Sequence, residues 1–310
     1  MARKLPGKRR TAKRRTYERD IIIGIIIALL AIVLLLWGPF RKTRIAEEKK
    51  PPVHAKKTEP SQKKPGEKKD TRKPSEDSRV VIIPDVPEKS VFVSIVIDDL
   101  GQDIRHAQEI LALHPAITVS IMPGLPNSKK TAELARQRGH QVLLHLPMEY
   151  RGKNGKPAPG MLRSDMTPMK FLNTISDDVN SVPGAVGANN HEGSLLTENK
   201  EAMKFLMAEL KARDIFFLDS LTSPKSVAYA TAKEFGLQTA KRDVFLDNEG
   251  DNPAYIRKQL EELTRIAKKQ GKAIAIGHPH PATISELKKW IPSISEKGIQ
   301  IVPVSKLMHW

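Results

Sequence analysis

The 310-residue chain contains no cysteine, which removes three kinds of chemistry at once. No disulfide framework, thiolate nucleophile or cysteine-ligated metal is available to it. The absence leaves the compartment open, because an oxidising space accepts a Cys-free protein as readily as the cytosol does. The sequence also lacks self-similar repeats and a glycine-rich phosphate cradle, which counts against a metal phosphoesterase. A domain-wide excess of positive charge is missing too, despite a formal net charge of +17. Residues 1–40 hold nine Lys/Arg against two acids and residues 41–79 hold fourteen against seven, +7 in each segment. The remaining residues, 80–310, hold 29 against 26. The basicity belongs to the N-terminal quarter, and a nucleic-acid footprint on the folded part is excluded.

What is present begins with a basic head, residues 1–20, followed by IIIGIIIALLAIVLLLWGPF at 21–40 without a charge. Twenty helical residues cross a hydrocarbon core of roughly 30 Å. A signal peptide has a shorter apolar region, about 7–15 residues, ending at small residues, and Trp37, Pro39, Phe40 and Arg41 offer no such site. The segment is expected to be an uncleaved transmembrane anchor. The basic head favours a cytoplasmic N-terminus, which places the domain outside, in the periplasm of a bacterium with two membranes. Residues 41–79 are rich in Lys, Pro and Glu and poor in large apolar side chains, so they cannot offset their own ordering entropy. They are expected to form a disordered tether spanning on the order of 35 Å.

The domain, residues 80–310, changes to short β-branched runs alternating with amphipathic segments. Strands are expected at 91–97, 116–122, 141–146, 186–189, 215–219, 244–247, 272–277 and 299–304. Helical patterns at 128–139, 197–214 and 252–271 lie between them, the last two with Thr197 and Asn252 as N-caps. Strand and helix in alternation imply a parallel sheet with right-handed crossovers. Seven or eight such units in about 220 residues point to a single α/β barrel.

Polar clusters fall at the carboxyl ends of these strands: Asp98 and Asp99, His145 and Glu149, Asn189, Asn190 and His191, Asp219, and His278 and His280. Each alone has a plain structural reading: an aspartate can cap the next helix, an asparagine can shape a turn, a histidine can be hydrogen-bonded in the core. Together they would share one face of a parallel barrel, the face where sites are built. Paired carboxylates, separated histidines and no cysteine suit one divalent metal with oxygen and imidazole ligands, Zn²⁺ most simply. One carboxylate would bind the metal, its neighbour would take a proton from water, and a histidine would protonate the leaving group.

The ordered segments SIVIDDLG, GHQVLLHLPME, VGANNHEGS, IFFLDSLT, KRDVFLDN and AIAIGHPHP, spread over residues 90–306, resemble the divergent polysaccharide deacetylases of bacteria. The resemblance implies a deformed (β/α) barrel of about seven parallel strands, and kinship with metal-dependent enzymes that remove N-acetyl groups from chitin-like and peptidoglycan sugars. It implies Asp98 as base, Asp99 as metal ligand, His145 as the first metal histidine and His278 as general acid. Where the related enzymes have a second histidine, this chain has Glu149, so either Glu149 or His191 completes the ligand set; Asp99, His145 and His191 are preferred. Asn189, Asn190, Ser194, Asp219, Arg242, Asp243, Asp247 and His280 are the positions left for substrate binding. Glu192, where the family pattern leads one to expect Met, is given no role. The expected activity is deacetylation of an N-acetylated envelope polysaccharide or peptidoglycan; the alternative is a non-catalytic glycan-binding or envelope-assembly protein built on the same groove.

Overall fold

The computed structural model describes residues 90–152 and 157–309. The expected head (1–20), anchor (21–40) and linker (41–79) lie outside the described residues, as does the start of the domain at 80–89. In chain order the elements are β1 (Val91–Leu100), α1 (Ile104–Ile110), β2 (Thr118–Ile121), α2 (Ser128–Gln137), β3 (Val142–Met148), α3 (Pro168–Ser181), β4 (Gly187–Glu192), α4 (Lys200–Ala212), β5 (Phe216–Asp219), α5 (Ala228–Glu234), β6 (Thr239–Lys241), β7 (Val244–Phe245), α6 (Pro253–Gln270), β8 (Lys272–Gly277), α7 (Pro281–Ser295) and β9 (Ile299–Ile301).

All strand pairings within the sheet are parallel, in the order β6-β5-β4-β3-β2-β1-β8-β7, with β9 attached to β1. The two edge strands, β6 and β7, are separated in sequence by Arg242 and Asp243 alone. Arg242 N–H donates to Asp219 O on the β5 side, and Asp243 N–H to Ile274 O on the β8 side. Within one residue the chain leaves one edge of the sheet and joins the other. The sheet therefore curls until a single extended segment links its ends, which gives the deformed barrel expected from the sequence. Every expected strand is found, the one at 272–277 with the same ends and the others with ends shifted by a few residues, and β6 is an addition: three residues, Thr-Ala-Lys, carry too little periodicity to be read.

Strand alternation sorts the side chains into two cores. Val93, Ile95 and Ile97 of β1, Leu144 and Leu146 of β3, and Ala273 and Ala275 of β8 pack outward against the helices. Val96, Leu143, Leu218, Ile274 and Ile276 point into the lumen, where Val304 and Leu307 of a C-terminal 3₁₀ turn join them. Val304 N–H donates to Thr118 Oγ at the start of β2, so this turn closes the amino-terminal end of the barrel by apolar packing. The carboxyl-terminal end is left for polar residues.

The helices supply the outer layer. In α6, Ile256, Leu260, Leu263 and Ala267 form the buried stripe, Asn252 caps its start by accepting from Ala254 and Tyr255 N–H, and Gly271 ends it at φ +82°. The expected cap at Thr197 is corrected. An extra 3₁₀ turn, Leu196–Glu198, precedes α4, so Asn199 accepts from Ala202 N–H at 3.1 Å while Thr197 donates to Gly193 O.

Candidate active site

Alternation along β1 would send Asp98 into the lumen and Asp99 toward the helices. Register with β2 runs Ile97 to Val119 and then Leu100 to Ile121, so β1 carries one extra residue at this point, and Asp99 adopts φ +59°. This bulge turns the second carboxylate back inside. Aspartate tolerates the left-handed conformation better than most residues. The pair of adjacent acids can therefore face one site.

His145 and Asn189, partners in the β3–β4 register, both point inward. Asn189 organises the lumen: its Nδ2 donates to both Asp98 oxygens at 3.0 Å and to Ser220 Oγ at 3.1 Å, while its Oδ1 accepts from Ser120 Oγ. The carboxylate of Asp98 accepts only, so the amide orientation is chemically fixed. His145 Nδ1, 3.0 Å from Asn189 Oδ1, must then carry its proton. In the neutral ring Nε2 then keeps the lone pair, the form in which imidazole binds a metal.

That lone pair meets Asp99 and His191. Asp99 Oδ1 lies 3.2 Å from His145 Nε2 and 2.9 Å from His191 Nδ1, and the two ring nitrogens are 3.2 Å apart. Asp99 Oδ1 is nevertheless a buried oxygen without a well-directed hydrogen bond. Three donor atoms converge closely enough for one cation to meet all of them. Asp99, His145 and His191 thus fit a divalent metal both by donor chemistry and by this orphaned oxygen. Burial works to raise the Asp99 pKa, but His145 and His191 beside it hold the carboxyl far below the usual range. Burial dominates at Asp98 and pushes its carboxyl up, against the pull of His145 and His278.

His278 approaches from β8 on the other side of β1. Its Nδ1–H donates to Asp247 Oδ1 at 2.9 Å, and its Nε2 stands 3.7 Å from Asp99 Oδ2. Asp247 Oδ2 accepts from His278 N–H and from Thr283 Oγ, both at 2.7 Å. Gly277 permits this approach: a Cβ there would lie 3.3 Å from Asp247 Oδ2 and 3.1 Å from Leu246. Burial disfavours the imidazolium, but Asp247, Asp98 and Asp99 outweigh it and push His278 up to about 9.

Other expected site residues are placed elsewhere. Glu149 Oε2 accepts from Ser164 N–H and Oγ–H and is absent from the three-donor cluster. Asn190 and Asp219, expected to bind substrate, are turned by strand register away from the lumen. Asn190 accepts from Ser220 N–H and donates to Glu192 O and Thr222 Oγ. Asp219, fully buried, accepts from Leu221 N–H, Ser226 Oγ and Tyr229 N–H. Asp243 accepts from Ile274 N–H and Ser194 Oγ from Arg151 N–H, which gives each a loop-shaping contact. His280 precedes α7, with its ring 5.8 Å from that of His278. Arg242 donates to Ser220 O and Leu221 O and lies 4.7 Å over the Phe245 ring. Ser120 and Ser220, which orient Asn189, were not anticipated; the alternation in AITVSIM was the available signal for Ser120.

The divergent polysaccharide deacetylase family model matches residues 95–308, nearly the whole of the described chain. The chain belongs to that family. The chain is 37% identical over 217 residues to a protein of Escherichia coli described as uncharacterized protein YibQ, covering 70% of this chain and 67% of that one. An uncharacterized protein of Haemophilus influenzae is 35% identical over 215 residues, covering 69% and 76%. The crystal structure of an uncharacterized protein from Agrobacterium tumefaciens superposes with a TM-score of 0.67 at 26% identity, over 72% of this chain and 92% of that one.

Proposed function

We propose that the protein is a metal-dependent hydrolase that removes N-acetyl groups from an envelope polysaccharide or peptidoglycan sugar. One observation carries the reading: Asp98, the Asp99–His145–His191 cluster and the Asp247–His278 pair converge at the carboxyl-terminal end of one lumen. Membership of the deacetylase family supports the reaction class. Asp99, His145 and His191 would hold the ion, Zn²⁺ most simply. When bound, such an ion supplies Lewis-acid polarisation of a carbonyl and lowers the pKa of a coordinated water.

The chain's own residues do the rest. Asn189 fixes the Asp98 carboxylate, and burial raises its proton affinity, which suits it to take a proton from the attacking water. His278, protonated below about pH 9, stands opposite to give a proton to the departing amine. Asp247 keeps the imidazole in orientation and holds its Nδ1 proton. The apolar floor of the barrel excludes water from below, which strengthens each of these interactions. The charge-free run at 21–40 and the basic head support a membrane tether with the domain on the outer side.

The test is acetate release from N-acetylglucosamine oligomers and from peptidoglycan by the detergent-solubilised full chain. Wild type is expected to bind about one Zn²⁺ and release acetate; Asp98→Asn is expected to retain the metal and lose about 10³-fold in turnover. Bound metal with no acetate from any glycan would leave the non-catalytic glycan-binding reading in its place.

A further inference from the structure

The change of partner between β6 and β7 has a structural consequence beside the reaction centre. The extended segment 239–245 pairs with β5 through Thr239–Lys241 and with β8 through Val244 and Phe245. Above Lys241 the chain has left β5, so the continuation of β5 at Ser220 and Leu221 has no strand on that side. Arg242 takes their two carbonyls, through Nε at 2.8 Å and Nη2 at 3.1 Å. The wedge so opened is not filled by packing. It is a cavity of about 480 Å³, lined by Leu221, Arg242, Phe245, Asn248, Tyr255 and Gln259 among others.

We infer that this wedge is a binding subsite for the sugar unit adjacent to the one whose acetamide enters the lumen. Its size lies within the range of small-molecule pockets, roughly 300–1,000 Å³. Its chemistry suits a pyranose: the half-buried Tyr255 ring offers a face for C–H stacking, and Asn248 and Gln259 offer amides that can both donate to and accept from hydroxyl groups. Its Phe245 wall lies beside the reaction centre, 5.3 Å from the His278 ring, and Asp247, two residues on, holds that histidine.

The wall is also held in a conformation it would not choose. Leu221 has φ +52°, a left-handed conformation that a leucine disfavours. It is fixed there by Asp219 Oδ1 at its N–H and by Arg242 at its carbonyl. Arg242 in turn stacks on Phe245. The cavity is built from both sides by interactions that outweigh local strain.

The inference rests on the glycan reading of the site, and the experiment separates the two. Calorimetry with N-acetylglucosamine tetramer is run on the full chain, beside steady-state acetate release and Zn²⁺ titration, for wild type, Tyr255→Ala and the milder Asn248→Ala/Gln259→Ala. The variants are expected to weaken tetramer binding and raise KM about tenfold, with kcat within twofold and one Zn²⁺ bound as before. Folded variants with unchanged tetramer affinity and KM would overturn the subsite. Tetramer binding that the variants weaken, without acetate release by wild type, would preserve the subsite and sink the deacetylase reading. Acetate release from wild type with no detectable tetramer affinity at millimolar concentration would overturn the subsite alone.

Discussion

Two clusters of one aspartate and two histidines stand at the same end of the barrel: Asp99 with His145 and His191, and Asp247 with His278 and His280. In the second, both Asp247 oxygens already accept hydrogen bonds, from His278 Nδ1–H, His278 N–H and Thr283 Oγ–H. In the first, Asp99 Oδ1 is buried without a directed hydrogen bond and faces the lone pair that Asn189 leaves on His145. Similar residues are thus prepared for different work. One cluster gathers three atoms suited to a cation, and the other holds a proton in place.

The largest effect should come from breaking the first cluster. His191→Ala is expected to weaken Zn²⁺ binding by about 10³-fold, whereas His280→Ala leaves affinity and stoichiometry unchanged; competition with a chelating dye reads both. A comparable loss in His280→Ala would erase the distinction.

The second cluster is tested through pH. The His278 pKa is raised, so the protonated acid is present below about pH 9 and is lost as pH rises through that value. Asp247→Asn removes the partner that stabilises the charge. The alkaline limb of kcat is expected to move down by about one to two units and kcat to fall about 10- to 100-fold, with Zn²⁺ still bound. An unmoved limb would show that another group sets it.

Asp178 is a useful third case, a buried carboxylate with one oxygen unpartnered among the described residues. Its Oδ2 has no hydrogen-bond partner, and burial, with Asp177 adding to it, pushes the carboxyl up to about 8. A folded pKa above the unfolded one favours the protonated native state. Stability is therefore fully present below about pH 4 and declines as pH rises toward about 8. Asp178→Asn is expected to stabilise the protein by about 2 kcal/mol at pH 8 and by much less at pH 4, measured by urea unfolding at the two pH values. Equal changes at both would rule out the charge as the cause.

The smallest effect is expected at Glu149. Because its carboxylate serves Ser164, Glu149→Ala should alter Zn²⁺ affinity by less than about twofold in the same dye competition. A larger loss would return it to the ligand set.

The strands, their parallel direction and the common end of the polar clusters were legible in the sequence, because β-branched runs ending in Asp, His or Asn recur along the chain. The side each residue faces was less legible. Asp99 reaches the lumen through a bulge that no local pattern announces, while Asn190 and Asp219 look like site residues until the register turns them toward Ser220, Thr222 and Ser226. The wedge was hidden for a related reason. It arises from a change of partner at Arg242 and Asp243, and β6 is too short to signal its own presence.

The central claim is that a cation occupies the first cluster and not the second. Crystals of the protein grown with Zn²⁺ and measured at the zinc absorption edge test it directly. The account predicts one anomalous peak about 2.0–2.2 Å from Asp99 Oδ1, His145 Nε2 and His191 Nδ1. A peak among Asp247, His278 and His280, a peak at Glu149, or no peak with Zn²⁺ in excess would contradict it.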